Sequence, residues 1–214
     1  MGERPIGVLG GTFDPVHNAH VRIARLALDA LDLERVSWIP TGAPGYRAAP
    51  VASADDRVAM LGLAIAGEPR FDLDRRELAP GASGYSVDTL AALRRDCGAR
   101  VPLLLLIGSD QFAKLDSWHR WRDLFSLAHL AVFARPGWAP AESAAVSAEL
   151  AARRSPPRGD WRARPAGAIV PVEMLPLDIS ATALRAAIAR GERVSDLLPA
   201  AVLDYIVSHR LYRG

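Results

Sequence analysis

Lysine is almost missing from this 214-residue chain. Of its 26 lysine-plus-arginine residues, Lys114 is the only lysine. No Gly-x-x-x-x-Gly-Lys loop can be written, which excludes a Walker A nucleotide site, and a covalent lysyl-nucleotide mechanism is disfavoured for the same reason. Cysteine is equally scarce. Cys97 stands alone, which rules out an intrachain disulfide and a cysteine-rich metal cluster; its expected place is in or near the core. No apolar run reaches the ~20 residues of a membrane span, and no dedicated carboxylate cluster for a metal is visible. Charge of one sign is also lacking: the formal net charge is +2, with a pI of about 9.0. The arginines are dispersed rather than blocked, so the footprint of a nucleic-acid partner is absent. Met1 to Pro5 lead into an apolar run without a secretory h-region, so the expectation is a cytoplasmic protein without membrane attachment. No repeat or low-complexity linker divides the chain. Half its residues are hydrophobic, enough for one compact domain over 1–214 with a helical C-terminal part from about 180.

What the chain does have is concentrated first in Gly10-Gly11-Thr12-Phe13-Asp14-Pro15-Val16-His17-Asn18-Ala19-His20. An apolar run, Pro5 to Leu9, precedes it and reads as a strand. Apolar residues at helical spacing from Val21 to Leu31 follow it. The stretch is therefore a strand-to-helix turn, where α/β sheets place ligands. Gly10 and Gly11 let the backbone pass close to a ligand. Asn18 is the expected N-cap of a helix whose free N–H groups suit an anion. His17 and His20, three apart, can share one face and neutralise charge developing on a phosphate.

Downstream, Val36 to Pro40 reads as a second strand. Residues 41–53 form a Gly/Pro/Ala-rich loop carrying Tyr46 and Arg47, and Ser53 caps a helix to about Ala66. Phe71 to Asp74 is a short strand, Glu77 to Gly84 a loop, and Ser86 opens the next helix. Val101 to Ile107 is a continuous apolar run, as in a central parallel strand buried on both faces. Asp110 at its end either accepts from a ribose hydroxyl or caps the next helix. Lys114 to Phe125 is expected to be a helix burying Trp121, Leu124 and Phe125, with Trp118 a candidate stacking platform. Ala128 to Ala134 and Ala168 to Val172 read as strands, residues 141–154 as a helix, and Arg153 to Arg164 as a solvated basic loop. A second anion-binding pattern is Asp178-Ile179-Ser180-Ala181-Thr182-Ala183-Leu184-Arg185. There Ser180 caps a helix ending at Gly191, and Arg185 can grip phosphate through both guanidinium arms. Pro199 to Tyr212 reads as a terminal helix.

The first stretch resembles the signature of the nucleotidylyltransferase superfamily, and Ile179 to Arg185 resembles its second signature, I-S-x-T-x-x-R. Two signatures in order, about 160 residues apart, are far more specific than either alone. The Pro40–Arg47 loop, Gly84 to Leu90, Gly108-Ser109-Asp110 with Trp118-His119-Arg120-Trp121, Arg135-Pro136-Gly137 and the Tyr205–Tyr212 ending are similar to one family within it. That family is the bacterial nicotinate-mononucleotide adenylyltransferases, and the likeness covers nearly the whole chain. It implies a Rossmann-like, doubly wound parallel α/β sheet with C-terminal helices. The implied reaction joins ATP and nicotinate mononucleotide to give deamido-NAD and pyrophosphate, with Mg²⁺ arriving bound to ATP.

Carried over residue by residue, the resemblance gives His17, His20 and Arg185 the catalytic positions. Gly10, Gly11, Thr12, Phe13, Asp110, Ile179, Ser180 and Thr182 fall to ATP. Arg47, Tyr85, Ser86, Trp118 and Arg135 fall to the acceptor. The chain departs from the family pattern at Tyr46-Arg47, where His-Lys is common, at Ser86 for threonine, at Ser109 for alanine and at Ala181 for serine. Still open are a sister adenylyltransferase acting on nicotinamide mononucleotide or pantetheine phosphate, a non-catalytic nucleotide sensor, and the oligomeric state, a homo-oligomer included.

Overall fold

A computed structural model describes residues 3–42, 49–134, 136–137, 143–175, 177 and 179–213. Six strands form one parallel sheet: β1 (Ile6–Gly11), β2 (Arg35–Pro40), β3 (Phe71–Leu73), β4 (Leu103–Gly108), β5 (His129–Ala134) and β6 (Ile169–Glu173). Their spatial order is β3-β2-β1-β4-β5-β6. That is the doubly wound order, with the direction of winding reversing between β1 and β4. The register pairs Val8 with Ser37 on one side and with Leu105 on the other. Eight helices accompany the sheet among the described residues: α1 (Asn18–Ala30), α2 (Ala54–Ile65), α3 (Ser86–Cys97), the single turns α4 (Ser109–Phe112) and α5 (Leu124–Leu127), α6 (Ala144–Arg153), α7 (Ala181–Ala189) and α8 (Ala200–Ser208). None of the described helices is long and apolar enough to cross a membrane.

Strand alternation divides the core into two layers. On one face Leu104 and Leu106 pack with Trp38, Leu28 of α1, Met60 and Leu61 of α2, Leu184 of α7 and Ile206 of α8. On the other Leu103, Leu105 and Ile107 pack with Leu90 of α3, Phe112, Leu124 and Val146 of α6. Both faces of β4 are covered, which is why Val101 to Ile107 shows no polar alternation. Cys97 is half-buried at the edge of the second layer.

Several expectations need correction. The first strand runs through both glycines, so Gly10 and Gly11 are the exposed end of β1 rather than part of the turn. His17, not Asn18, is the N-cap of α1; Asn18 instead donates its amide to Asp196 O at 3.0 Å. The Lys114–Phe125 helix is broken. Residues Leu115–Ser117 and Trp121–Asp123 form 3₁₀ turns, with Trp118 extended between them and Arg120 left-handed at φ +49°. The buried anchors Trp121, Leu124 and Phe125 are as expected, but the helical period continues only through single turns. The basic stretch 153–164 is not a solvated loop: Trp161 in a 3₁₀ turn is fully buried, and Arg162 donates to Leu31 O at 2.7 Å. The terminal helix ends at Ser208, and the tail continues through left-handed Arg210 and Tyr212.

Candidate active site

β1 and β4 are neighbours at the switch point, and their carboxyl ends carry Gly10-Gly11 and Gly108. A Cβ on Gly10 would meet nothing within 4 Å, so the chain leaves open space above the end of β1. After Gly11 the backbone turns sharply. Phe13 adopts φ +50°, a strained conformation for a bulky residue. It is held by packing, with its ring 5.6 Å from Trp38 and edge-on to His20 at 5.0 Å.

His17 and His20 stack with ring centroids 3.8 Å apart, so the shared face is realised. The Nδ1 of His20 accepts from the His17 backbone N–H at 3.3 Å. In the neutral ring this leaves the proton on Nε2, an available donor. Burial pushes the His17 pKa down to about 4. His20 is held well below the ordinary histidine range, first by burial and then by the charge of His17. In the free protein at neutral pH both rings are therefore uncharged donors, poised to gain positive charge only when an anion sits against them.

The second signature comes to the same place. Ser180 caps α7, accepting from Ala183 N–H at 3.1 Å. Thr182 Oγ1 accepts from Arg185 Nη2 at 3.4 Å, and Arg185 Nη1 donates to the main-chain oxygen of Asp14 at 2.7 Å. Residues 171 apart in the chain thus join the two signature segments. Ile179 is half-buried against the first core layer and sets the start of α7. Asp110, past the end of β4, lies exposed in α4; Gly108, not Asp110, is the cap residue there, which removes the capping alternative. Tyr85 precedes α3, Ser86 is its first residue, and the Tyr85 ring stacks on His119 at 4.3 Å. Trp118 is half-buried, packed against the second core layer. Tyr46, Arg47 and Arg135 lie outside the described residues.

Four residues with parts in this arrangement went unassigned in the sequence reading. Asp14 is buried and accepts from Val51 N–H at 2.7 Å, Ala52 N–H at 3.1 Å and the Tyr212 hydroxyl at 2.8 Å. Arg57 is buried in α2, and its Nη1 donates to both Thr12 O and Thr41 O at 2.8 Å. It ties the β1 turn to the start of the 41–53 loop, and burial lowers its pKa. His119 forms the stack on Tyr85. Tyr212 comes from the far end of the chain. Asp14 carried one sequence signal, a carboxylate inside a phosphate signature. His119 and Tyr212 stand in family-like stretches without a role of their own there, and Arg57 had no such signal, because the partners of all three are distant in sequence.

The cytidylyltransferase-like family model matches residues 8–187. A protein of Laribacter hongkongensis (strain HLHK9), named "Probable nicotinate-nucleotide adenylyltransferase", is 52% identical over 98% of this chain and 94% of its own length. A protein of the same name from Dechloromonas aromatica (strain RCB) is 47% identical over 99% of each. Among solved structures, the nicotinic acid mononucleotide adenylyltransferase of Plasmodium falciparum complexed with NaAD superposes with a TM-score of 0.75 over 98% of both chains. At 14% identity this speaks for the fold. Two signature segments joined beside the switch point through Asp14 and Arg185, and full-length likeness to these relatives, agree: the chain belongs to the cytidylyltransferase-like family and, within it, to the nicotinate-nucleotide adenylyltransferases.

Proposed function

We propose that the protein transfers the adenylyl group of MgATP to nicotinate mononucleotide, giving deamido-NAD and pyrophosphate in NAD synthesis. A phosphate oxygen of the acceptor attacks the α-phosphorus of ATP in line. The new P–O bond forms as the bond to the β-phosphate oxygen breaks, and pyrophosphate leaves with that electron pair. The acceptor already carries the nucleophile, so the protein positions the reactants and stabilises charge.

The observation that carries this reading is the Arg185–Asp14 contact, 2.7 Å from Nη1 to the main-chain oxygen, which sets a guanidinium beside the histidine-bearing turn. His20, with its free Nε2–H, takes the α-phosphate, and His17 assists beside it. Arg185, Ser180 and Thr182, with the N–H groups at the start of α7, hold the β- and γ-phosphates. Gly10, Gly11, Thr12, Phe13 and Ile179 line the nucleotide, and Asp110 accepts from the ribose. Tyr85, Ser86 and Trp118 frame the pyridine ring, while Arg47 and Arg135 attend the acceptor phosphate.

Mg²⁺ enters as part of the substrate. The carboxylate of Asp14, which lies between the two signature segments, is already taken by three donors. A cytoplasmic location belongs to the same proposal.

Pyrophosphate release from MgATP, with nicotinate mononucleotide, nicotinamide mononucleotide or phosphopantetheine as acceptor, tests the proposal. Strong preference for nicotinate mononucleotide, with deamido-NAD formed, supports it. Preference for another acceptor moves the protein to a sister activity. Release with none, despite ATP binding, refutes catalysis in favour of a sensor.

A further inference from the structure

Asp14 is a buried carboxylate with an unusual set of neighbours. Its Oδ2 accepts from Val51 N–H and its Oδ1 from Ala52 N–H, at the end of the 41–53 loop. Oδ1 also accepts from the Tyr212 hydroxyl at 2.8 Å. Arg185 Nη1 stands 3.7 Å from Oδ2, within ion-pair range but beyond a hydrogen bond. The carboxylate and a bound triphosphate compete for the same guanidinium. Each donor on a carboxylate lowers its demand for another cation, because its lone pairs are finite and its charge is already solvated. Tyr212 reaches this position only because the tail after α8 turns through two left-handed residues, Arg210 at φ +54° and Tyr212 itself at φ +61°. Non-glycine residues adopt that conformation at a cost, and such strain concentrates where a site needs it.

We infer that Tyr212 is a positioning residue for adenylyl transfer: its hydroxyl keeps the Asp14 carboxylate on the loop end and off the Arg185 guanidinium, leaving Arg185 available to phosphate. The inference rests on the adenylyl-transfer reading. Through Asp14 the chain terminus thus connects the loop expected to face the acceptor with the arginine expected to face ATP. Tyr205, one helix earlier, provides the contrast. Its hydroxyl donates to the Asp56 carboxylate at 3.0 Å, not to Asp14.

The test is a double-mutant cycle. Tyr212→Phe removes one oxygen and keeps the ring that packs on the first core layer. Pyrophosphate release is measured in wild type, Tyr212→Phe, Arg185→Ala and the double variant, with thermal melting to confirm folding. A hydrogen bond to a charged group is worth roughly a tenfold change. Tyr212→Phe is expected to lose about that factor in kcat/KM for MgATP, and less than about twofold further when Arg185 is already alanine. Tyr205→Phe is expected to keep the wild-type rate. Equal losses in both Arg185 backgrounds, or a Tyr212→Phe rate within about twofold of wild type, would overturn the inference. Should wild type release no pyrophosphate, the adenylyl-transfer reading fails by itself. The same cycle is then read in MgATP dissociation constants, with the same two patterns for and against.

Discussion

Replacing His20 by alanine separates catalysis from folding, and the structure sets the size of both effects. His20 contributes an Nε2–H donor whose direction is fixed on three sides. Its Nδ1 accepts from the His17 N–H, its face stacks on His17 at 3.8 Å, and Phe13 meets it edge-on at 5.0 Å. Loss of one preorganised donor at a site of developing charge typically costs 10²–10³ in rate, about 3–4 kcal/mol. The structural loss is smaller. One cap-type hydrogen bond and two aromatic contacts together amount to ~2–3 kcal/mol, which for a chain of this size lowers Tm by about 6–9 °C and leaves the fold populated. His20→Gln refines the test, since glutamine at the third helical position can still reach back to the cap N–H. Melting followed by circular dichroism should therefore show His20→Gln closer to wild type than His20→Ala. Saturating pyrophosphate-release assays should show kcat down by about 10²–10³ in His20→Ala and still down at least about tenfold in His20→Gln. A folded His20→Ala protein turning over within about threefold of wild type would refute the role given to this ring.

Three further outcomes follow from the same coordinates. His129 is fully buried in β5, with Nδ1 accepting from Ala168 N–H at 3.0 Å and Nε2 2.9 Å from Arg164 O; burial pushes its pKa down to about 4. A histidine whose folded pKa lies below its unfolded value of ~6.5 contributes fully above that pH and loses the contribution as pH falls towards the folded value. Urea unfolding should therefore show up to about 3 kcal/mol lost between pH ~6.5 and 4, with a shallower slope in His129→Gln. Gly7 in central β1 has no room for a Cβ, which would lie 2.8 Å from Leu33 Cδ1 and 3.1 Å from Val36 Cγ2. Gly7→Ala should cost about 1–3 kcal/mol in denaturant titration without altering KM. Arg185→Lys keeps the charge but loses the fork that reaches Asp14 O and Thr182 at once. Steady-state kinetics should show kcat/KM for MgATP reduced at least about tenfold.

Much of the arrangement was legible before any coordinates, because it is local. Strand, turn and helix around Gly10 to Leu31, the Ser53 and Ser180 caps of α2 and α7, and the two-faced burial of β4 all depend on neighbours within a few residues. Serine at a helix start satisfies an N–H three positions away, and an apolar run of strand length leaves little choice of state. The errors fell where a local pattern had more than one solution. The Lys114–Phe125 segment carries the right apolar spacing for a helix, yet Ser117 Oγ bonds Lys114 O at 2.6 Å, Trp118 turns extended, and single turns bury the same three anchors. Trp161 lay hidden among arginines whose charge suggested solvent, although its ring fills the first core layer and its Nε1 donates to Pro157 O at 3.1 Å.

The sequence by itself determined the two signature segments, the order of strands and helices that carries them, and, through the resemblance of its motifs, the family. Those are properties of short segments, each of which encodes its own geometry. Only the tertiary structure decided how the segments are held. The 3-2-1-4-5-6 winding puts the ends of β1 and β4 together. Arg57 then ties Thr12 to Thr41, and Asp14 gathers Val51, Ala52, Arg185 and Tyr212 from across nearly the whole chain. A buried charge needs donors, but nothing in a one-dimensional string specifies which distant N–H or hydroxyl supplies them. That choice is made when the core closes and fixes the distances.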